Sequence, residues 1–314
     1  MKHFFTISAL IILLLLILEV VLRSRYGLGN PLLYKADKKM GYLIAPNQNV
    51  IRNGNSIRIN RYSMRSDEIS DRKIPGERRF FFIGDSVTNG GWWNPQDSII
   101  SERFKRHLQE NQIQENQTDI ATITILNASA NSWSPRNELE YLRQFGLFDA
   151  DMLILIINTD DLFGTAPNSL LVGREKNYLD RKPMGAIGEL IERYRLSKLP
   201  PSQELQAIHN EEGDRVAKIL RAIQAIHKLS RDNNAKFLML MTPLLREVDG
   251  NSRNYELIAR DRLYEFTKKE GINYIDLLEP FKASGNAKQL YHDNIHLNAV
   301  GNEEVSQVIL KALL

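Results

Sequence analysis

The spacing of apolar and polar positions divides the chain into stretches of different character. Phe4 to Leu22 reads FFTISALIILLLLILEVVL, an apolar run broken only by Glu19 near its far end. At about 1.5 Å per residue this run nearly matches a hydrocarbon core of about 30 Å, with Glu19 at the interface. A removed signal peptide would have a shorter apolar core followed by small residues. Here Arg23-Ser24-Arg25-Tyr26 follows instead, which favours a retained anchor over residues 1–25. From Arg79 onward, short continuous apolar runs alternate with amphipathic stretches. Phe80 to Ile83, closed by Gly84, has the pattern of a strand buried on both faces. Thr122 to Leu126, Met152 to Ile157, Phe237 to Met241 and Tyr274 to Leu278 repeat it.

Between these runs lie helical patterns. A helix is expected around Pro95 to Glu110. Ser134-Pro135 opens another, which carries Leu139, Leu142 and Phe145 and stops at Gly146. Val216, Leu220, Ile223, Ile226 and Leu229 mark a further one, and Ala299 to Leu314 the last. Five buried strands alternating with helices predict an α/β fold with a doubly wound, five-stranded parallel sheet over residues 77–314. Residues 26–76, rich in Gly, Pro and Asn, precede it. Within them Asn49 to Arg52 and Ser56 to Asn60 flank Asn53-Gly54-Asn55, a strong hairpin signal, so this segment reads as an ordered collar. Residues 163–203, with four prolines and one helix expected near Ala186 to Tyr194, form an insertion after a strand's carboxyl end. Open α/β sheets bind ligands there. A lid, a partner surface and a structural elaboration all fit it.

Composition narrows the chemistry. Of 314 residues, 43% are hydrophobic and 25% charged, with a net charge of +3 and no basic stripe, so nucleic acid is not an expected partner. The chain has no cysteine, which excludes disulfides, thiolate metal sites and a cysteine nucleophile. Neither a metal nor a cofactor is expected. No G-x-G-x-x-G or phosphate loop comes after the first strand of the sheet. The bilayer itself is an expected partner, through residues 4–22. The side on which the domain lies stays open. Arg23, Arg25, Lys35, Lys38 and Lys39 after the run outnumber Lys2 before it, which favours a cytoplasmic domain. A first apolar segment behind a short basic head looks instead like a signal anchor that exports the rest of the chain.

Two clusters carry candidate chemistry. Gly84-Asp85-Ser86 directly follows the first strand of the sheet and continues Val87-Thr88-Asn89-Gly90. A nucleophilic serine needs a tight turn at a strand's carboxyl end, and Gly84 permits one, although an ordinary exposed Asp-Ser turn would look the same. Asp293-Asn294-Ile295-His296 lies just before the last helix. It places a carboxylate within reach of an imidazole whose tautomer it could fix. Among the six histidines, His3 precedes the anchor run, and His107, His209 and His227 fall on expected helices as solvated residues. His292 is a weaker rival base.

Taken together, Gly84-Asp85-Ser86 and Asp293-x-x-His296 resemble the first and last blocks of the SGNH (GDSL-like) hydrolase superfamily. Asn60-Arg61-Tyr62-Ser63-Met64-Arg65 resembles the opening segment of members that modify cell-surface polysaccharides. The resemblance runs from about Asn60 to the C-terminus and implies a three-layer, flavodoxin-like fold in a bacterial, membrane-anchored member. It also implies a triad of Ser86, His296 and Asp293. Ile125 to Ser129 and Ile156 to Asp161 fall where the family's oxyanion donors lie. There the usual glycine is Ser129, a change of little consequence if its backbone N–H still donates. The usual asparagine is Asp160, and an ionised carboxylate cannot donate; losing one such donor costs about 3 kcal/mol. Asn158, two residues earlier, a protonated Asp160, or Asn131 could substitute. The expected function is therefore an extracytoplasmic serine esterase or O-acyltransferase acting on a lipid or acylated envelope glycan. The alternative is a catalytically silent module of the same fold, used for binding or assembly.

Overall fold

A computed structural model describes residues 1–114 and 122–313. Helix α1 (Lys2–Tyr26) has no buried residue, and is the one helix among the described residues long and apolar enough to cross a membrane. It ends at Gly27, whose left-handed backbone (φ 66°) lets its N–H reach back to the Arg23 carbonyl. Two small antiparallel sheets come next. Strand β1 (Tyr34–Asp37) pairs with β2 (Gly41–Ile44), and β3 (Gln48–Arg52) pairs with β4 (Asn55–Ile59). Asn53 and Gly54 between β3 and β4 have φ of 47° and 82°. Two consecutive left-handed residues match the twist of the flanking strands, which is why Asn-Gly signals this hairpin.

The main sheet contains β5 (Glu77–Gly84), β6 (Thr122–Ser129), β7 (Met152–Asn158), β8 (Lys236–Thr242) and β9 (Asn273–Asp276). They lie in the order β6-β5-β7-β8-β9, and every pair is parallel. Successive residues alternate between two cores. Phe81 and Ile83 of β5, with Leu153, Leu155 and Ile157 of β7, enter one; Phe80 and Phe82, with Met152, Ile154 and Ile156, enter the other. Both faces are covered, so these strands read as unbroken apolar runs. The first core is closed by α4 (Pro135–Phe145), α7 (Arg215–Asp232) and α9 (Asn254–Glu270), and by Tyr34, Tyr42, Val50 and Ile57 of the small sheets. The second is closed by α3 (Ile100–Gln114), α10 (Leu278–Ala283) and α11 (Ala299–Lys311). The remaining helices are α2 (Ser86–Asn89), α5 (Gly185–Ser197), α6 (Gln203–His209) and α8 (Leu245–Val248).

The doubly wound parallel sheet expected from the sequence is present, with three local differences. The helix expected from Pro95 begins only at Ile100: Gln96–Ser98 form a single 3-10 turn, and the extended backbone of Ile99 (ψ 157°) separates it from α3. The last strand stops at Asp276, whose carboxylate accepts the Leu278 N–H at 2.9 Å and turns the chain into α10. Beyond residues 163–203, α6 continues the excursion almost to α7. The final helix is described to Lys311, and Leu314 lies outside the described residues.

Chain order places a switch point at β5: the chain steps to β6 on one side, then crosses to β7 on the other. Ligand crevices form where neighbouring connections diverge in this way. Ser86 comes two residues after the end of β5, and Asn158 ends β7.

Candidate active site

The turn that carries Ser86 is built from below by close packing. Gly84 is not left-handed. It is glycine because a Cβ there would collide with the Ile156 carbonyl of β7 and the Thr88 side chain, so the sheet could not close on the turn. Asp85 then leaves the strand, and its Oδ1 accepts the Val87 N–H at 2.8 Å, capping α2. Ser86 therefore stands at the start of α2, 8% exposed. Past it, Gly90 and Gly91 lead into Trp92-Trp93. Arg65, fully buried, donates to the carbonyls of Asn89 (2.8 Å), Gly91 (2.6 Å) and Asn94 (2.8 Å) and pins this loop.

The opposite side of the site is a short loop before α11. An isolated antiparallel bridge between Tyr291 and Leu297 closes it. Inside the bridge, Asp293 Oδ1 accepts the backbone N–H groups of Ile295 (2.9 Å) and His296 (2.8 Å). Burial pushes the Asp293 carboxyl up, but these two amides and the imidazole outweigh it and hold the group below its ordinary value. Asp293 Oδ2 lies 2.8 Å from His296 Nδ1, and His296 Nε2 lies 2.9 Å from Ser86 Oγ. With Asp293 ionised, Nδ1 carries the proton and Nε2 is free to accept from the Ser86 hydroxyl. Trp93 tilts against His296 with ring centroids 4.8 Å apart, and its Nε1 donates to the Leu297 carbonyl.

Ser86, His296 and Asp293 thus form one hydrogen-bonded chain. His292 does not join it; its ring stacks on Trp93 at 4.5 Å with planes 3° apart. His209 is exposed, as expected. His107 and His227 are only half-exposed: His107 pairs with Glu303, and His227 stacks on Phe237.

The residues considered for the oxyanion differ in where they point. Ser129, 1% exposed, ends β6 directly beside Gly84. Its Oγ donates to Asn127 and accepts from Asn89. Asn158 Nδ2 donates to Asp85 Oδ2 at 2.8 Å, the same oxygen that lies 3.1 Å from Ser86 Oγ. The Asn158 carbonyl oxygen accepts the Asp160 N–H, so its side chain is fixed and one amide hydrogen stays uncommitted. Asp160 is exposed and bonds to neither Ser86 nor His296. Partial burial raises its carboxyl from the ordinary value, against the pull of Arg246; the other charges it feels are Glu256, Glu247 and Arg253. Asn131 uses its backbone carbonyl to accept from the Tyr42 hydroxyl and lines the cleft beside His296. That cleft is about 510 Å³ in volume.

A family model described as "GDSL-like Lipase/Acylhydrolase family" matches residues 82–304, from within β5 to α11. The chain belongs to the GDSL-like lipase/acylhydrolase family. No curated protein matches it by sequence. Similar solved structures include the acetyl xylan esterase AlAXEase, at 16% identity and TM-score 0.49, covering 75% of this chain and 100% of that one. A lipase/acylhydrolase from Enterococcus faecalis is similar at 13% identity and TM-score 0.45, covering 75% and 95%. A member of the lipolytic G-D-S-L family from Veillonella parvula is similar at 12% and 0.44, covering 74% and 97%.

In this GDSL-like chain Asp85 has work of its own that its place in the sequence does not announce. It is 3% exposed and joins Ser86, Val87 and Asn158. Burial raises its carboxyl from the ordinary value, although the Val87 amide and His296 act in the other direction. The parts played by Trp93 and Arg65 were equally unexpected. The glycine pair before Trp92-Trp93 was the available signal, since a left-handed turn right after the serine block has to set the two tryptophans against the site.

Proposed function

We propose that the protein is a membrane-tethered serine esterase or O-acyltransferase, with Ser86 as nucleophile, His296 as general base and Asp293 as its orienting carboxylate. The observation that carries this reading is the unbroken Ser86–His296–Asp293 hydrogen-bond chain, at 2.9 and 2.8 Å, whose imidazole lines an open cleft. Ser86 Oγ attacks an ester carbonyl while its proton passes to His296 Nε2. The carbonyl oxygen becomes an oxyanion, held by the amides of Ser86 and Ser129 and by the uncommitted N–H of Asn158. Collapse of this intermediate breaks the ester C–O bond, and His296 returns the proton to the departing alcohol. An acyl group is left on Ser86. Water then releases it in an esterase; a sugar hydroxyl accepts it in an O-acyltransferase. Helix α1 as a retained anchor favours a lipid or acylated envelope glycan as substrate, on the extracytoplasmic side.

Asp160 supports the competing reading, a silent module, because a carboxylate stands where the family's donor amide is expected. One experiment separates the two. The full chain in detergent is labelled with a fluorophosphonate probe beside Ser86→Ala. Labelling of the wild type alone is expected. A folded wild type that does not label, or equal labelling of both, rejects the triad. Retention of the chain in membranes through alkaline carbonate washing tests the tether separately.

A further inference from the structure

Helix α5 is joined to the end of α1 by a set of directed contacts. Glu19 Oε1 accepts the Ala186 N–H at 2.7 Å and Glu19 Oε2 the Ile187 N–H at 2.9 Å, so a side chain of α1 caps the N-terminus of α5. Gly185 leaves room for this, since a Cβ there would strike Glu19 and Arg23. One turn further along α5, the fully buried Glu189 accepts the Gly29 N–H at 2.7 Å and pairs with Arg52. Arg52 in turn donates to the Gly27 carbonyl at 2.8 Å. These contacts fix α5 at a definite level on α1. Glu19 lies within the last turn of the apolar run, so the start of α5 sits where a spanning α1 leaves the hydrocarbon.

The two faces of α5 are unlike. Ala186, Glu189 and Leu196 are buried in the domain. On the other side Leu190, Ile191 and Tyr194 are exposed at helical spacing, Ile191 by 62% and Tyr194 by 66%, with Met184 just before the helix exposed by 97%. Arg181, Lys182, Arg195 and Lys198 flank this stripe and all four are exposed; Arg181 and Arg195 share Glu192 as an ion-pair partner, which leaves the border net basic. An apolar stripe bordered by cations is the composition of a helix lying in the headgroup region. Arg193, one residue before Tyr194, lines the cleft that His296 opens onto, together with Tyr26 at the end of α1 and Leu28 just beyond it.

We infer that the exposed stripe of α5 rests on the surface of the bilayer that α1 crosses and holds the cleft lined by His296 at headgroup level. The occupant of the stripe is lipid, at the boundary between headgroups and acyl chains. The continuity of the stripe with the anchor and its basic border argue for it. The corresponding substrate class is an ester carried by a membrane amphiphile, presented at the bilayer surface, in preference to one on a freely diffusing glycan. This rests on the reading of α1 as a retained span, and the test separates the two.

Because the chain has no cysteine, single cysteines can be placed at will. Ile191→Cys, Tyr194→Cys, Leu14→Cys within α1 and Lys228→Cys on the exposed side of α7 would each carry a bimane label. Each full-length chain would be reconstituted into phosphatidylcholine vesicles with and without brominated phospholipid, with circular dichroism confirming the fold. The labels at 191 and 194 are expected to be quenched several-fold more than the label at 228, with emission shifted to the blue. If they behave like position 228 while position 14 is quenched, the inference is overturned and the tether stands. If position 14 escapes quenching, the tether itself fails and the inference with it. Emission at 191 that follows protein concentration but not brominated lipid would assign the stripe to a second copy, and would overturn the inference as well.

Discussion

The two halves of the candidate site are held in place by different means. On the serine side, Asp85, Ser86, Asn89, Asn127, Ser129 and Asn158 are all buried, and their bonds join β7 to Asp85 and β6 to α2. On the base side, Asp293 is exposed and its bonds reach only two and three residues along the chain. Ser86 is thus set by the packed sheet, whereas His296 is set by its own loop. A substitution in the first half should disturb fold and chemistry together. One in the second should disturb chemistry alone.

The largest effect expected is on the exposed side. Asp293→Asn keeps the loop's shape but removes the charge that selects the His296 tautomer, and ester hydrolysis should fall by about 10³–10⁴-fold. Thermal unfolding followed by tryptophan fluorescence should stay close to the wild type. A marked loss of stability would show that the loop is not self-sufficient. Asp85→Ala tests the other half. It leaves the Val87 N–H and the Asn158 amide buried without their acceptor, and should cost about 2–4 kcal/mol of stability as well as activity, read in the same melts. Normal stability in this variant would break the comparison.

A smaller effect concerns the carboxyl behind Ser86. Glu138 of α4 is fully buried, neither of its side-chain oxygens has a hydrogen-bond partner among the described residues, and burial, then the neighbouring Asp85, pushes it well above its ordinary value. A raised acid holds its proton in the folded state after the unfolded chain has released it. Its contribution is therefore fully present below the ordinary value of 4.5 and is lost as pH rises toward the folded value. Glu138→Gln should flatten this dependence, removing a slope of up to about 1.4 kcal/mol per pH unit above pH 4.5, measured by denaturation midpoints across pH. Identical slopes in both proteins would reject it. The smallest effect is expected at His292. His292→Ala loses its stack on Trp93, worth about 1 kcal/mol, and hydrolysis should change by less than about tenfold. A larger loss would assign His292 a direct part in proton transfer.

Much of the fold was legible because burial on both faces leaves its mark in the sequence: Phe80 to Ile83 and Met152 to Ile157 are apolar without interruption. The Asn53-Gly54 hairpin was legible because two left-handed residues in succession demand such a pair. The Asp293–His296 loop could be read for a related reason, since its bonds span three residues and spacing alone brings its groups together. The serine side resists such reading. That Asn158 bonds to Asp85, or that Arg65 holds the loop after Ser86, depends on which strands become neighbours, and nothing local to either residue announces it. Gly84 is instructive here. Its type suggests a special backbone angle, but the reason is a neighbouring strand that leaves no room for a Cβ.

The Glu19 cap also bears on the order in which the molecule is finished. Glu19 and Ala186 are 167 residues apart, so the chain supplies the acceptor long before the amides that need it exist. Closing so long a loop is entropically unfavourable at first and becomes cheap only after the sheet has drawn its ends together. The contact is therefore among the late ones to form. A chain shortened to begin after Tyr26 would leave the start of α5 to water and give up a cap worth about 1 kcal/mol. Helix α1 thus completes the domain, and activity measured on a chain trimmed of it would describe a slightly different protein.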